Sequence, residues 1–141
     1  MATNTLHSES VPATAVATNP DADILAAWGR RSVAYAIYNG LPHCDEPGTP
    51  YTPEEQAQLD IVDEAEAVIN TATAATPQGV AIQLWTGLAH ILTNREEEQA
   101  INIADLDWFL MDETRFDWGE RLILSGIRSL RAMQGSAATA V

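Results

Sequence analysis

Thr76 to Leu92 reads TPQGVAIQLWTGLAHIL, and this stretch decides the fold because apolar residues fall on nearly every side of the helix it encodes. Thr76 can cap the first turn by accepting a backbone N–H, and Pro77 suits the first helical position, where a missing donor costs nothing. Val80, Leu84, Leu88 and Ile91 form one stripe at helical spacing; Ala81, Trp85, Ala89 and Leu92 form a second beside it. A helix apolar on two faces is buried between neighbours. Gln83 and His90 in its body, together with its length, exclude a membrane span. The expectation is an all-α bundle of about five helices around this central one.

The flanking segments supply the neighbours. A first helix is predicted from Pro20 or Asp21 to Asn39, with Asn19 or Asp21 as cap. Leu25, Trp28, Ser32, Tyr35 and Tyr38 lie along one face of it, joined by Ile24, Ala27, Ala34 and Ile37. Three prolines and a glycine in LPHCDEPGTPY, Leu41 to Tyr51, break regular structure. Thr52-Pro53-Glu54-Glu55 then forms a capping box that opens a second helix running to about Ala72. Its apolar face is Ile61, Val62, Ala65, Val68, Ile69 and Ala72; Asp60, Asp63, Glu64, Glu66 and Asn70 occupy the other and are expected to be solvated. The short Thr71–Ala75 connection makes the second and central helices antiparallel neighbours.

Beyond Leu92, Thr93 or Asn94 caps a fourth helix, with Glu96, Glu97 and Glu98 in the favourable first turn, predicted to run unbroken to about Glu113. Asp105 and Asp107 flank its buried side, and Asp112 lies near its end. A second capping-box pattern, Asp117-Trp118-Gly119-Glu120, opens a fifth helix that Gly135 should stop, leaving 135–141 frayed. Residues 1–19 hold too little apolar surface to offset the entropy of ordering and are expected to be a tail, with His7 solvated in it. The folded domain is thus 20–134.

Charge narrows the function classes. The 141 residues carry a formal −13, and all seven basic residues are arginine. Eight acids and no base lie between Ser32 and Asn94, whereas Arg121, Arg128 and Arg131 in the last helix are followed by no acid. Direct nucleic-acid binding rests on neutralising phosphates with Lys and Arg and is not expected. A basic protein surface is the natural partner, bound through Asp60, Asp63, Glu64, Glu66, Glu96, Glu97, Glu98, Asp105, Asp107 and Asp112. The same charge also serves solubility. The lone Cys44 makes no internal disulfide, the first residues show no signal-peptide pattern, and no stretch could span a bilayer, so a soluble, cytoplasmic protein is expected.

No arrangement of residues dictates a particular chemistry. His43, Cys44, Asp45 and Glu46 are the densest group of metal-ligand types, but adjacent residues cannot all turn onto one ion, so neither metal nor cofactor is expected. His90, near the end of the central helix, lacks a triad partner and reads as a packed or dipole-facing histidine. Trp28, Tyr35, Tyr38 and Trp108 are candidates for an aromatic interface in a homodimer, since aromatics are enriched in interface cores.

Three segments carry a resemblance: the helix of Asp23 to Tyr38, ATPQGVAIQLWTGLA from Ala75 to Ala89, and FDWGERLILSGIRSLRAM from Phe116 to Met133. In these the chain resembles a loose group of small, uncharacterised helical proteins of proteobacterial genomes, many in prophage or mobile-element settings. The resemblance implies origin and architecture and brings no catalytic residue. It gives the acidic-surface reading one concrete form, an inhibitor of a basic nucleic-acid-binding host defence protein, as anti-CRISPR proteins are. A competing expectation is an enzyme similar to the MazG group of nucleotide pyrophosphatases, in which Asp60, Asp63, Glu64 and Asp105 would hold Mg²⁺. Asn102 stands where that group has a glutamate.

Overall fold

In the computed structural model, residues 18–139 are described. They form six α-helices: α1 Ala22–Gly40, α2 Pro53–Thr71, α3 Pro77–Ala89, α4 Arg95–Asn102, α5 Leu106–Leu110 and α6 Trp118–Thr139, with one 3-10 turn, Glu113–Arg115. No strand occurs among the described residues. The expectations for Met1–Ala17, including His7, lie outside them.

The predicted central helix is central. α1 pairs along its length with α2 and α3 with α6, while α3 also meets α1, α2 and α4. Its own side chains supply both cores: Ile82 packs with Ile24, Ala27, Ala65 and Ile69, whereas Trp85 and Leu88 pack with Ile101, Leu106, Phe109, Phe116, Leu124 and Ile127. Trp28 of α1 packs against both groups and joins them. Phe109 is the centre of the second core, with its ring 4.9 Å from Trp108, 5.4 Å from Phe116 and 5.6 Å from Trp85. α3 ends at Ala89, so Ile91, expected on its apolar stripe, is half exposed.

Local starts follow the sequence. Thr52 and Glu55 make both hydrogen bonds of the α2 capping box, Thr76 accepts from the Gly79 N–H at 3.1 Å, and Asp117 and Glu120 exchange two bonds of 2.9 Å each. Asn19, placed in the tail by composition, belongs to the folded part: its side chain accepts from the Asp21 N–H at 2.9 Å. Asp21 is buried and does not cap its own helix with its side chain. Its carboxylate reaches the start of α3, accepting from the N–H groups of Ala75 at 2.9 Å and Thr76 at 2.8 Å and from the Thr76 hydroxyl. Gly79 makes room for it, since a Cβ there would sit 2.1 Å from Asp21 Oδ2. These bonds, the Thr76 hydroxyl foremost, hold the Asp21 carboxyl below the usual carboxylate range.

Two expectations are corrected. The fourth helix is broken: α4 ends in a Schellman turn in which Asp105 N–H donates to Ala100 O and Ala104 N–H to Ile101 O, each at 2.9 Å, with Ala104 at φ +51°. Asp105 then caps α5 by accepting from the Trp108 N–H at 3.0 Å, which fixes it as a turn residue rather than a helix-flank acid. α6 passes through Gly135 to Thr139. Gly135 does not adopt the left-handed conformation by which glycine commonly closes a helix C-terminus. In the connecting loop, Gly48 at φ +86° and Pro47 form the middle of a turn closed by Thr49 N–H to Glu46 O at 3.2 Å. No described helix is long and apolar enough to cross a membrane.

Candidate functional site

The helix pairs converge on Arg31, which occupies a core position of α1 in line with Ile24, Ala27 and Ala34 and is 2% exposed. Burying a guanidinium is costly unless its donors and charge are met. Here Nε donates to Glu66 Oε1 at 2.7 Å and Nη1 to Asn102 Oδ1 at 3.0 Å. The planar head also lies 4.6 Å from the ring centre of Tyr35 and 5.1 Å from that of Trp28, the residues one turn to either side on the same helix. Glu66 uses its second oxygen, Oε2, to accept from His90 Nε2 at 2.7 Å, and Ser32 Oγ donates to Asn102 O at 3.0 Å. One ion pair therefore ties together α1, α2, α4 and the residue that ends α3. Burial pushes the Tyr35 hydroxyl and the Glu98 carboxyl above their ordinary values, and the nearby Arg31 offsets each in part.

Beside this hub a groove of about 650 Å³ runs between α2 and α3. Asp63, Glu66 and His90 border one part of it, and Asn70, Gln83 and Thr86 the rest, with Ala67, Ile69 and Gly87 as apolar wall. Gln83 spends both amide hydrogens on the carbonyls of Ile69, 3.0 Å, and Ala72, 2.8 Å; Thr86 spends its hydroxyl hydrogen on Ile82 O at 2.9 Å. The groove is bordered by the last turns of both helices, neither of which carries a basic residue.

The ten acids singled out from sequence differ in exposure and in partners. Asp60, Asp63 and Glu64 stand exposed on the outer face of α2, and Glu96 is exposed at the start of α4, with Glu97 and Glu98 half-buried behind it. Glu66 is not solvated as expected; it is half-buried between Arg31 and His90 because the core guanidinium needs a counter-charge. Asp107 is exposed but pairs with Arg131 at 3.0 Å, Asp112 accepts the Thr114 hydroxyl, and Asp105 is the α5 cap. Of the aromatic candidates, Trp28 and Tyr35 flank Arg31, Trp108 stacks edge-on against Phe109 beneath Arg115, and Tyr38 sits among Tyr35, Tyr51 and His43. All four are partly buried within the chain.

Sequence reasoning missed Arg31 and Asp21 because charged residues are rarely buried unless paired. The signal for Arg31 was an arginine in the Ile24–Ala27–Ala34 register with aromatics three residues before and four after it. His90 does end α3, but its ring nitrogen serves Glu66. His43, of the metal-ligand group, pairs with Glu55 at 2.8 Å. The Thr52 N–H first, and then the His43 bond, hold Glu55 below its ordinary range. Among the described residues no three of His, Cys, Asp and Glu are placed to hold a metal ion; Asp60, Asp63 and Glu64 are exposed on α2, and Asp105 caps α5. No protein family, curated protein or solved structure matches the chain.

Proposed function

We propose that the protein is an acidic interaction module whose outer α2 face binds a basic surface on another protein. The observation that carries this reading is the uncompensated charge of that face. Glu54, Asp60, Asp63 and Glu64 are exposed, and among the described residues no cation lies within ion-pair distance of any of them. Three of the seven arginines are spent in ion pairs elsewhere: Arg31 is buried on Glu66, Arg128 faces Glu113 at 3.5 Å and Arg131 faces Asp107. Gln56 donates to Asp60 at 2.7 Å but brings no charge, and carboxylates without an internal counter-ion keep their attraction for an approaching basic patch, which speeds encounter and selects partners by complementary potential. In the finer form of the proposal the module acts in the cytoplasm as a mobile-element inhibitor, occupying phosphate sites of a nucleic-acid-binding defence protein. The test is affinity capture from the native host's extract at low salt, with salt-gradient elution and competition by nucleic acid. The expected partner is basic, is displaced by nucleic acid, and is lost when Asp60→Asn and Glu64→Gln are combined. Retention by that double variant would contradict the reading.

A second reading, self-association, is favoured by a different face from the aromatic one. Val33 and Ile37 on the outward side of α1 are 61% and 47% exposed, and Ile103 is 74% exposed. A −13 chain can approach its own copy most readily where charge is sparse, and α1 has only Asp23 and Arg30 besides the buried Arg31. A dimer mass in solution that reverts to monomer in Val33→Glu supports it; a monomer at all working concentrations removes it.

A further inference from the structure

We propose that the groove between α2 and α3 is the pocket that receives an arginine side chain of the basic partner. This rests on the reading of the protein as an acidic module and deepens it from a charged face to a specific recognition point. The groove's lining offers mostly hydrogen-bond acceptors. Asp63 and Glu66 are acceptors only. Gln83 has given away both amide hydrogens and Thr86 its hydroxyl hydrogen, so each has only acceptor capacity left for a ligand. When the His90 ring is neutral, its one hydrogen on Nε2 goes to Glu66, and Nδ1 remains an acceptor. Asn70 alone among these lining side chains can donate freely.

A site so rich in acceptors and poor in donors selects a ligand rich in donors. Guanidinium has five N–H donors, no acceptor and a permanent positive charge. The C-terminal turns of α2 and α3 add the negative ends of two helix dipoles and carry no basic residue of their own, while Arg31 of α1 is already held by Glu66 Oε1. Ala67, Ile69 and Gly87 give the aliphatic stem an apolar wall, and a groove of about 650 Å³ is of the size that encloses small ligands. An anionic ligand would meet the Asp63 carboxylate, which has no ion-pair partner among the described residues, beside a Glu66 whose charge Arg31 already matches. An ammonium offers three donors to the same acceptors and makes the weaker fit.

Gly87 supplies the discriminating variant. A Cβ there meets nothing within 4 Å, so Gly87→Phe starts without a backbone clash, points its ring at the groove that Gly87 lines, and leaves the charge unchanged. The experiment titrates the full chain with N-acetyl-arginine amide and follows backbone amide resonances. N-acetyl-citrulline amide, neutral and of the same shape, is the control. Saturable shifts at Asn70, Gly87 and His90 are expected, at least about tenfold weaker for the citrulline probe and for Gly87→Phe, a difference of about 1.4 kcal/mol. Asp63→Asn is expected to weaken the arginine probe severalfold. Equal binding of the two probes, arginine shifts at Asn70 and His90 that survive Gly87→Phe, or no saturable shift would each overturn the proposal. The two readings fail separately: a partner that ignores Gly87→Phe but is lost by Asp60→Asn/Glu64→Gln leaves the acidic module standing without the pocket.

Discussion

Arg31 and Asp21 each join separate elements, and each is a charge whose hydrogen-bond partners come from elsewhere in the chain. Replacing Arg31 by Met removes the only cation facing Glu66 from α1 and leaves a half-buried carboxylate. Breaking a buried pair by losing one partner costs about 3–5 kcal/mol, whereas replacing both with apolar residues is often near neutral. Urea unfolding should therefore find Arg31→Met strongly destabilised and Arg31→Met/Glu66→Met less so than the single variant. Asp21 gives a pH signature. Its folded value lies below its unfolded one, about 3.9, so the stability it contributes is complete above that value. It is lost as pH falls through the folded value. Asp21→Asn should be less stable at neutral pH and show a shallower loss of stability below about pH 4 in thermal unfolding followed by circular dichroism. Neither role was legible from sequence. Periodicity assigns apolar residues to the core and passes over a charge in the same register, and nothing local to Asp21 announces bonds made more than fifty residues away.

At the scale of elements, legibility followed the local signals. α2 and α3 begin where capping residues and prolines say they should, because those bonds are made within four residues of chain. The break between α4 and α5 escaped detection because the left-handed position of its Schellman turn holds Ala104 rather than glycine. That position costs an L-residue about 1–2 kcal/mol, and glycine relieves it at some loss of unfolded-state restriction. Ala104→Gly is expected to stabilise the protein by up to about 1 kcal/mol in chemical denaturation; destabilisation would mean that the alanine methyl is needed where it stands. The opposite error occurred at Gly135, where a glycine suggested an end that its backbone does not make. A glycine inside a helix costs about 1 kcal/mol and does not by itself stop one.

Over the whole molecule, the buried cores on either side of α3 balance an exterior that carries most of a −13 charge. The all-α class and the central position of α3 were readable because one segment alone is apolar on two faces. The division of twenty acids into partnered and unpartnered groups was not, because it depends on which arginines reach them in space. That division is what gives α2 its free carboxylates, and it is the central claim. It is tested most directly by the salt dependence of affinity for the captured partner, measured by titration calorimetry for the native chain and for Asp60→Asn/Glu64→Gln. Native affinity is expected to fall steadily as salt rises from low to physiological strength, and the double variant to bind more weakly with a visibly flatter dependence. Identical affinity and identical salt dependence for the two proteins would contradict it.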